Sequence, residues 1–388
     1  MTAEENKAKT TKSESKMNPY EVNGAIDYKR LITDFGIKPI DKDVIELFET
    51  VAKVPVHRYI RRNIFFAHRD LPWCLKEYQK GNKFFLYTGR GPSGPIQLGH
   101  LATWLFAKWL QDVFDVEMWF QFTDDEKFLF KKDMTLEETK KWTYENMLDV
   151  IALGFDPKKT HFIVDTLHAG VMYPEAIKVA KKITFSTIKA AFGFTESNNI
   201  GSIFYTSMQT VPAFLPNVLR NEKRPCLIPL GVDQDPHFRI SRDVIEKLGF
   251  HKPAIIHAKM MSPLGSVEGK MSSSNQSTAI YTTDDANTIK KKINKYAFSG
   301  GQATLEKHRA KGGNPDIDVS FQWLRYFEED DNRLAEIEKQ YRSGELLSGE
   351  LKQLIIEKVQ MFLTVHQQLR EQARNRIDEF IFKPEKLK

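Results

Sequence analysis

The sequence predicts an α/β protein, an open parallel sheet covered by helices, followed by an all-α second domain. Three observations predict it. Phe84-Phe85-Leu86-Tyr87 is a short apolar, β-prone run that ends in Thr88-Gly89-Arg90-Gly91-Pro92, which reads as a buried strand running into a turn. Leu98, Leu101, Ala102, Leu105 and Trp109 then recur at helical spacing, and residues 116–122 form a second apolar run, so strand, crossover helix and strand follow as in a βαβ unit. After Asn275 the apolar runs give way to segments of helical period, broken at Gly300-Gly301, Gly312-Gly313 and Ser343-Gly344.

Taken in order, the elements divide the chain of 388 residues, longer than one core usually organises. Residues 1–17 are dominated by Lys, Glu, Thr, Ser and Ala and are expected to be a disordered tail. Residues 18–79 read as a helical extension, in which Arg58-Tyr59-Ile60-Arg61-Arg62 is expected to be a solvated face rather than an RNA contact. Residues 80–274 carry the sheet. Thr135-Leu136-Glu137-Glu138 is a capping box that opens another helix. A further strand is expected at 225–230, closing on Gly231-Val232-Asp233-Gln234-Asp235-Pro236, with Asp235 as N-cap and Pro236 as the first helical residue. Residues 275–388 are helical by pattern at 284–296, 304–309, 316–327, 332–341 and 350–382, the last expected to pack back on the sheet domain. Lys290, Lys291, Lys292 and Lys295 make a basic stretch that reads as a solvated face, with contact to phosphates as the second reading.

Composition excludes some function classes. No run approaches the roughly 20 apolar residues of a membrane helix. Two cysteines, Cys74 and Cys226, cannot make a disulfide framework and fit a reducing compartment. Glu4, Glu5 and Glu14, with no arginine beside them, argue against a transit peptide, so the cytoplasm is expected. The net charge of +6 allows a polyanionic partner without requiring one.

Two strings carry the chemistry. Gln97-Leu98-Gly99-His100 lies where the first strand hands over to its helix, and Lys270-Met271-Ser272-Ser273-Ser274 lies in a loop bounded by glycines. At the first, Gly99 allows a nucleotide close to the backbone, the helix N-terminus offers free N–H groups to phosphates, and His100 can donate to phosphoryl oxygens. At the second, a lysine and three hydroxyls can follow charge developing on a departing pyrophosphate. Alone, the second string reads as a serine-rich surface loop; together the two read as halves of one ATP clamp. Gly89-Arg90-Gly91-Pro92-Ser93-Gly94 also spells the dinucleotide fingerprint, but the first acids after the next strand, Asp124 and Asp125, lie about ten residues beyond the place such a site needs one. A nicotinamide enzyme is therefore not expected. Asp124 and Asp125 themselves read as structural caps.

Thr88-Gly89-Arg90-Gly91-Pro92-Ser93, the two strings above, Thr123-Asp124-Asp125-Glu126-Lys127, Gly231-Val232-Asp233-Gln234-Asp235-Pro236-His237-Phe238-Arg239 and Ala297-Phe298-Ser299-Gly300-Gly301 occur in one family's order. The chain resembles the tryptophanyl-tRNA synthetases of eukaryotic and archaeal type, from about residue 18 almost to its end. The resemblance implies a class I enzyme with a Rossmann-type catalytic domain, a helical anticodon-binding domain, a homodimer and no resident structural metal. It implies activation of L-tryptophan by ATP with Mg2+ and transfer to tRNA(Trp). Arg90, Gln97, Gly99, His100, Lys127, Lys270, Met271, Ser272 and Ser274 match the positions that serve ATP, with Lys127 also able to pair simply with a neighbouring acid. Tyr87 and Gln121 match those that read the indole nitrogen, and Glu126, Gln209 and Gln234 those that hold the amino group. Gln97 departs from the family's usual histidine; it still donates but carries no charge. The alternatives weighed are the sister tyrosine enzyme, a non-catalytic RNA-binding paralogue and a small nucleotidyltransferase.

Overall fold

The computed structural model of the chain describes residues 17–18, 21–22, 27–271 and 276–387. The tail expected over 1–17 lies outside them up to residue 16; Met17–Asn18 pairs antiparallel with Glu21–Val22. A seven-stranded sheet spans residues 38–258. Its strands in chain order are β1 Lys38–Pro39, β2 Phe65–Arg69, β3 Phe85–Arg90, β4 Met118–Phe122, β5 Thr160–Val164, β6 Cys226–Gly231 and β7 Ala254–Ala258. Across the sheet they run β1-β2-β7-β6-β3-β4-β5. From β7 to β5 every neighbour is parallel, whereas β1 and β2 join antiparallel at one edge.

That edge corrects the reading of 18–79 as helical throughout. The run Ile64-Phe65-Phe66-Ala67 is too short for its period to separate helix from strand, and pairing with β7 decides for strand. The central strands are apolar on both faces because both are covered. Leu86, Phe120 and Phe162 pack on one side with the Leu98–Phe114 helix, and Tyr87, Trp119 and Ile163 pack on the other, which is the period-2 alternation of a doubly covered sheet. Strand β3 extends beyond its apolar run to Arg90. Gly89 permits this: a Cβ there would stand 2.8 Å from the Gln121 carbonyl oxygen of β4.

Strand order reverses between β3 and β6. From β3 the chain builds outward through β4 and β5, and then returns to lay down β6 and β7 on the other side. The crevice at the carboxyl ends of strands flanking such a switch point is where open α/β sheets bind ligands.

The helical region expected after 275 contains Ala286–Tyr296, Leu305–Lys311, Val319–Phe327, Asp331–Ser343 and Ser348–Ala373. The last helix stops short of the predicted 382. A short turn of helix, Ile377–Phe380, follows, and Ile381 then bridges parallel to Phe162 at the sheet's edge. Ser348–Ala373 lies against the Leu136–Ala152 helix, where His366 Nε2 is 2.9 Å from Asp149 Oδ1 and Arg370 Nη2 donates to Glu145 Oε2 at 2.6 Å. The capping box at Thr135 and Glu138 opens that helix as read.

Two further readings are corrected. The Arg58–Arg61 helix and Arg62 are a solvated face only at Arg61; Tyr59, Ile60 and Arg62 are buried and Arg58 is half-buried. Arg62 is buried, donating to the Arg325 and Glu328 carbonyls at 2.9 and 2.6 Å and to Asp331 at 2.7 Å. A guanidinium at the last carbonyls of a helix satisfies orphan acceptors and its dipole, so these arginines bind the helical region to the sheet. Asp235 is not an N-cap. It opens the Asp235–Lys247 helix, but its fully buried carboxylate accepts from Arg69 Nε and Nη2 at 2.9 and 2.8 Å and lies 2.7 Å from His257 Nε2. In the basic stretch, Lys292 is paired with Asp284 at 2.7 Å, while Lys290, Lys291 and Lys295 are exposed.

Candidate active site

A cavity of about 240 Å³ opens at the switch point, between the ends of β3 and β6. The first motif enters it from the Leu98–Phe114 helix, whose first turn carries Gly99 and His100. The second enters from the far side through Lys270 and Met271. Backbone bonds stitch the two stretches of chain together. Gln97 forms an isolated bridge with Tyr281, Leu98 N–H donates to the Ile280 carbonyl at 3.1 Å, and Thr282 N–H donates to the Ile96 carbonyl at 2.9 Å. The segment following the lysine loop is thus a short strand partner of the segment preceding the helix.

His100 Nδ1 accepts the Gln97 N–H at 3.2 Å, so the ring proton of the neutral imidazole sits on Nε2. Nε2 lies 3.0 Å from Arg90 Nη1. Burial pushes the imidazole well below its ordinary pKa, and the charges of Arg90 and Lys270 push it further. Two N–H groups therefore oppose each other across 3.0 Å, a repulsion that an anionic oxygen accepting from both would relieve. Arg90 is oriented by Asn146, whose Oδ1 accepts from Nε at 3.3 Å and whose amide donates to the Gly94 carbonyl at 3.0 Å. Burial lowers the guanidinium to about 10, which leaves it charged at neutral pH.

Lys270 Nζ donates to Asp233 Oδ2 at 2.5 Å, and Gln234 Nε2 donates to the same oxygen at 3.0 Å. Glu126 accepts from Lys127 Nζ at 2.5 Å and from Thr123 Oγ1 at 2.7 Å. Burial alone would raise the Glu126 pKa, but Lys127 and Thr123 overcome it and hold the carboxyl below its ordinary value. The second reading of Lys127, pairing with a neighbouring acid, is the arrangement observed. Gly91 makes room for this pair, since a Cβ there would strike Lys127 Cε and stand 2.6 Å from Glu126 Oε2. Ile228, Leu230 and Phe238 supply an apolar wall.

Arg90, Gln97, Gly99, His100, Glu126, Lys127, Gln209, Gln234, Lys270 and Met271 all line this one cavity. Tyr87 and Gln121 do not; both are fully buried one layer behind it. The Tyr87 hydroxyl donates to Gln121 Oε1 at 2.6 Å and accepts from Gln209 Nε2 at 2.9 Å, and Tyr205 donates to the Gln209 side-chain oxygen. Ser272 and Ser274 lie outside the described residues. Asp124 is structural but not a cap: it accepts the Thr166 N–H at 3.0 Å in the turn after β5, while Thr123 holds the N-cap position. Sequence reasoning gave no part to Asp233, Asn146, Lys259 or Asp165. Asp233 stands inside a quoted string. Nothing local marks the others, because only the fold brings them to the site.

The family described as tRNA synthetases class I (W and Y) matches residues 79–364. The tryptophan–tRNA ligase of Sulfurisphaera tokodaii is 52% identical over 365 residues, covering 94% of each chain. That of Sulfolobus acidocaldarius is 51% identical over 367 residues, covering 94% of this chain and 95% of its own. Among solved structures, the tryptophanyl-tRNA synthetase of Plasmodium falciparum superposes with a TM-score of 0.86 at 41% identity, covering 93% of this chain and 96% of that one. Sequence match, near-complete coverage and common fold converge: the chain belongs to the class I tRNA synthetases of the W and Y family.

Proposed function

We infer that this chain is a tryptophan–tRNA ligase, which activates L-tryptophan with ATP and transfers it to tRNA(Trp). The observation that carries the reading is the meeting of His100 and Lys270, 170 positions apart (270 − 100), on one cavity that also holds Glu126, Gln209 and Gln234. The relatives' names supply the amino acid and the tRNA.

The tryptophan carboxylate attacks the α-phosphorus of ATP, the bond to the bridging oxygen breaks, and pyrophosphate leaves. A terminal ribose hydroxyl of the tRNA then attacks the activated carbonyl, and AMP leaves. Neither step needs a protein nucleophile, so positioning and charge do the catalysis. In this reading Arg90 and the Nε2–H of His100 donate to one phosphoryl oxygen. Lys270 exchanges Asp233 for the departing pyrophosphate, with Gln97, Ser272 and Ser274 assisting, and Gly99 leaves the backbone open to the nucleotide. Met271 is placed to flank it. Glu126, Gln209 and Gln234 hold the α-amino group. The Gln209 amide donates where an indole N–H would donate, to Tyr87, so a bound ring takes over that bond, with Gln121 behind it.

Among the described residues, no three His, Cys, Asp or Glu side chains converge as a metal-binding group. Mg2+ is proposed to arrive with ATP, whose phosphate oxygens would hold it and whose charge it would neutralise. No described helix is long and apolar enough to cross a membrane, and a cytoplasmic home is proposed. A homodimer is supported by an apolar face on the adjoining Ala169–Ala180 and Ile200–Thr210 helices, where Tyr173, Ile177 and Ile200 are 56, 47 and 84% exposed. Residues 275–388 are proposed as the anticodon-binding part.

The test is ATP–pyrophosphate exchange with tryptophan or tyrosine, followed by charging of tRNA(Trp). Tryptophan-dependent exchange is expected. Exchange with tyrosine and none with tryptophan would overturn the assignment, and no exchange with either would point to a non-catalytic paralogue.

A further inference from the structure

We infer that Asp165 is a positioning residue for amino-acid selection, fixing the direction of a hydrogen-bond relay that keeps an acceptor on Tyr87 turned toward the cavity, where Gln209 now donates and a ring N–H can replace it. The inference rests on the proposed tryptophan specificity. Asp165 follows β5 and is 1% exposed. Both its carboxyl oxygens accept from Gln121 Nε2, at 2.8 and 3.0 Å. An amide beside a carboxyl acceptor must turn its nitrogen that way, so the Gln121 oxygen faces Tyr87. Every later bond then runs in one sense. Tyr205 donates to Gln209, Gln209 to Tyr87, Tyr87 to Gln121, and Gln121 to Asp165.

Direction matters because Tyr87 has one hydrogen to give. While it goes to Gln121, a lone pair on the hydroxyl remains for a donor from the cavity side. Were Gln121 reversed, its N–H would take that lone pair. The reversed state has a ready partner, since the hydroxyl hydrogen can turn to the Gln209 backbone carbonyl, 3.1 Å away. Only Asp165 breaks the tie. Its own neighbours hold it in place, for Asp125 bonds to its carboxyl, and the next residue, Thr166, is pinned by Asp124. Burial, with the charge of Asp125 second, raises Asp165 far above the ordinary carboxyl range. A proton shared with Asp125 leaves Asp165 an acceptor toward Gln121.

The experiment compares Asp165→Leu and Asp165→Asn in tryptophan-dependent pyrophosphate exchange. Tryptophan is set against its benzothiophene analogue, in which sulfur replaces the ring N–H. Asn can accept from Gln121 and donate to Asp125, so Asp165→Asn should keep the parent's preference for tryptophan within about twofold. Leu can do neither. Asp165→Leu should raise the tryptophan KM about thirtyfold, the loss expected for one buried N–H without a partner. Its preference over the analogue should fall to near unity, with the ATP KM unchanged. Thermal melting checks folding, and Asp165→Ala replaces the leucine variant if that does not fold. Equal losses for tryptophan and analogue, or loss of preference in a folded Asp165→Asn, would overturn the inference while leaving the function standing. A parent chain with no tryptophan-dependent exchange would refute the function, and this with it.

Discussion

Replacing Glu126 by glutamine removes one charge from the cavity and leaves Lys127 a neutral acceptor in place of its ion-pair partner. Glutamine keeps an oxygen for Thr123, which now donates at 2.7 Å, and nearly the same volume. What is lost is a buried carboxylate opposite the substrate ammonium. A hydrogen bond to a charged group contributes about 1.5–3 kcal/mol. Glu126 is only 8% exposed, so solvent screens little of it, but Lys127 at 2.5 Å already neutralises part of its field. That places the cost near the lower middle of the range, about 2 kcal/mol, or roughly thirtyfold in affinity. Lys127, freed of its partner, remains available to phosphate. The tryptophan KM of Glu126→Gln should therefore rise about thirtyfold, while the ATP KM changes by less than about twofold. Both are read from pyrophosphate exchange at pH 7.5, where the depressed carboxyl of the parent is fully ionised. Equal losses in the two constants would mean that Glu126 holds the site together rather than holding the amino group.

Three other perturbations separate the parts. Lys270→Ala should slow adenylate formation about a hundredfold, the scale of one preorganised donor, and leave tryptophan affinity within about twofold; an unchanged rate contradicts the clamp. Gln97→His should keep or raise turnover, and an inactive variant would show that the bonding of Gln97 to Tyr281 needs the amide itself. Asp235 tests stability: burial alone would raise its pKa, but bonds from His257 and Arg69 bring it below the ordinary value. A carboxyl depressed on folding contributes stability that is complete above its unfolded pKa, about 4, and lost as pH falls through its folded pKa. Asp235→Asn should cost about 3–5 kcal/mol near neutrality, as removal of one partner from a buried pair does, and should flatten the fall in melting temperature below pH 4; parallel curves would rule the pair out as its source.

The parts legible in the sequence were those whose cause is local. The βαβ unit follows from apolar period, the Thr135 box from two side chains three residues apart, and the paired loops from residue types that need phosphate or cation partners. The rest depended on distant partners. Phe65–Arg69 is a strand because β7 offers it an edge, and nothing within 65–69 records that. Arg62 is indistinguishable from a solvated arginine until Asp331 and the Glu328 carbonyl arrive from 269 and 266 positions away. Asp235 looks like a cap because Asp before Pro usually is one, and here His257 and Arg69 claim the carboxylate first. Tyr87 and Gln121 were named together, but their place behind the cavity is set by how Gln209 folds over them.

The charges of the cavity explain why a lysine such as Lys127 is neither purely structural nor purely functional. Four cations line it, Arg90, Lys127, Lys259 and Lys270, against two carboxylates, Glu126 and Asp233. His237 is pushed down to about 4 by burial, so it and His100 add no charge at pH 7. Two of the cations are paired, Lys127 with Glu126 and Lys270 with Asp233. A buried charge stripped of its partner costs several kcal/mol, so each pair keeps both members ionised and in place. In the proposed reaction the substrates exchange partners with those pairs. An ammonium takes Glu126 while phosphate oxygens take Lys127 and Lys270, and Asp233 keeps the bond from Gln234. Pairing in the free enzyme and service to substrate are then the same property seen at two moments. On that account, losing either lysine strands its buried carboxylate, and should both weaken the site for ATP and lower the melting temperature.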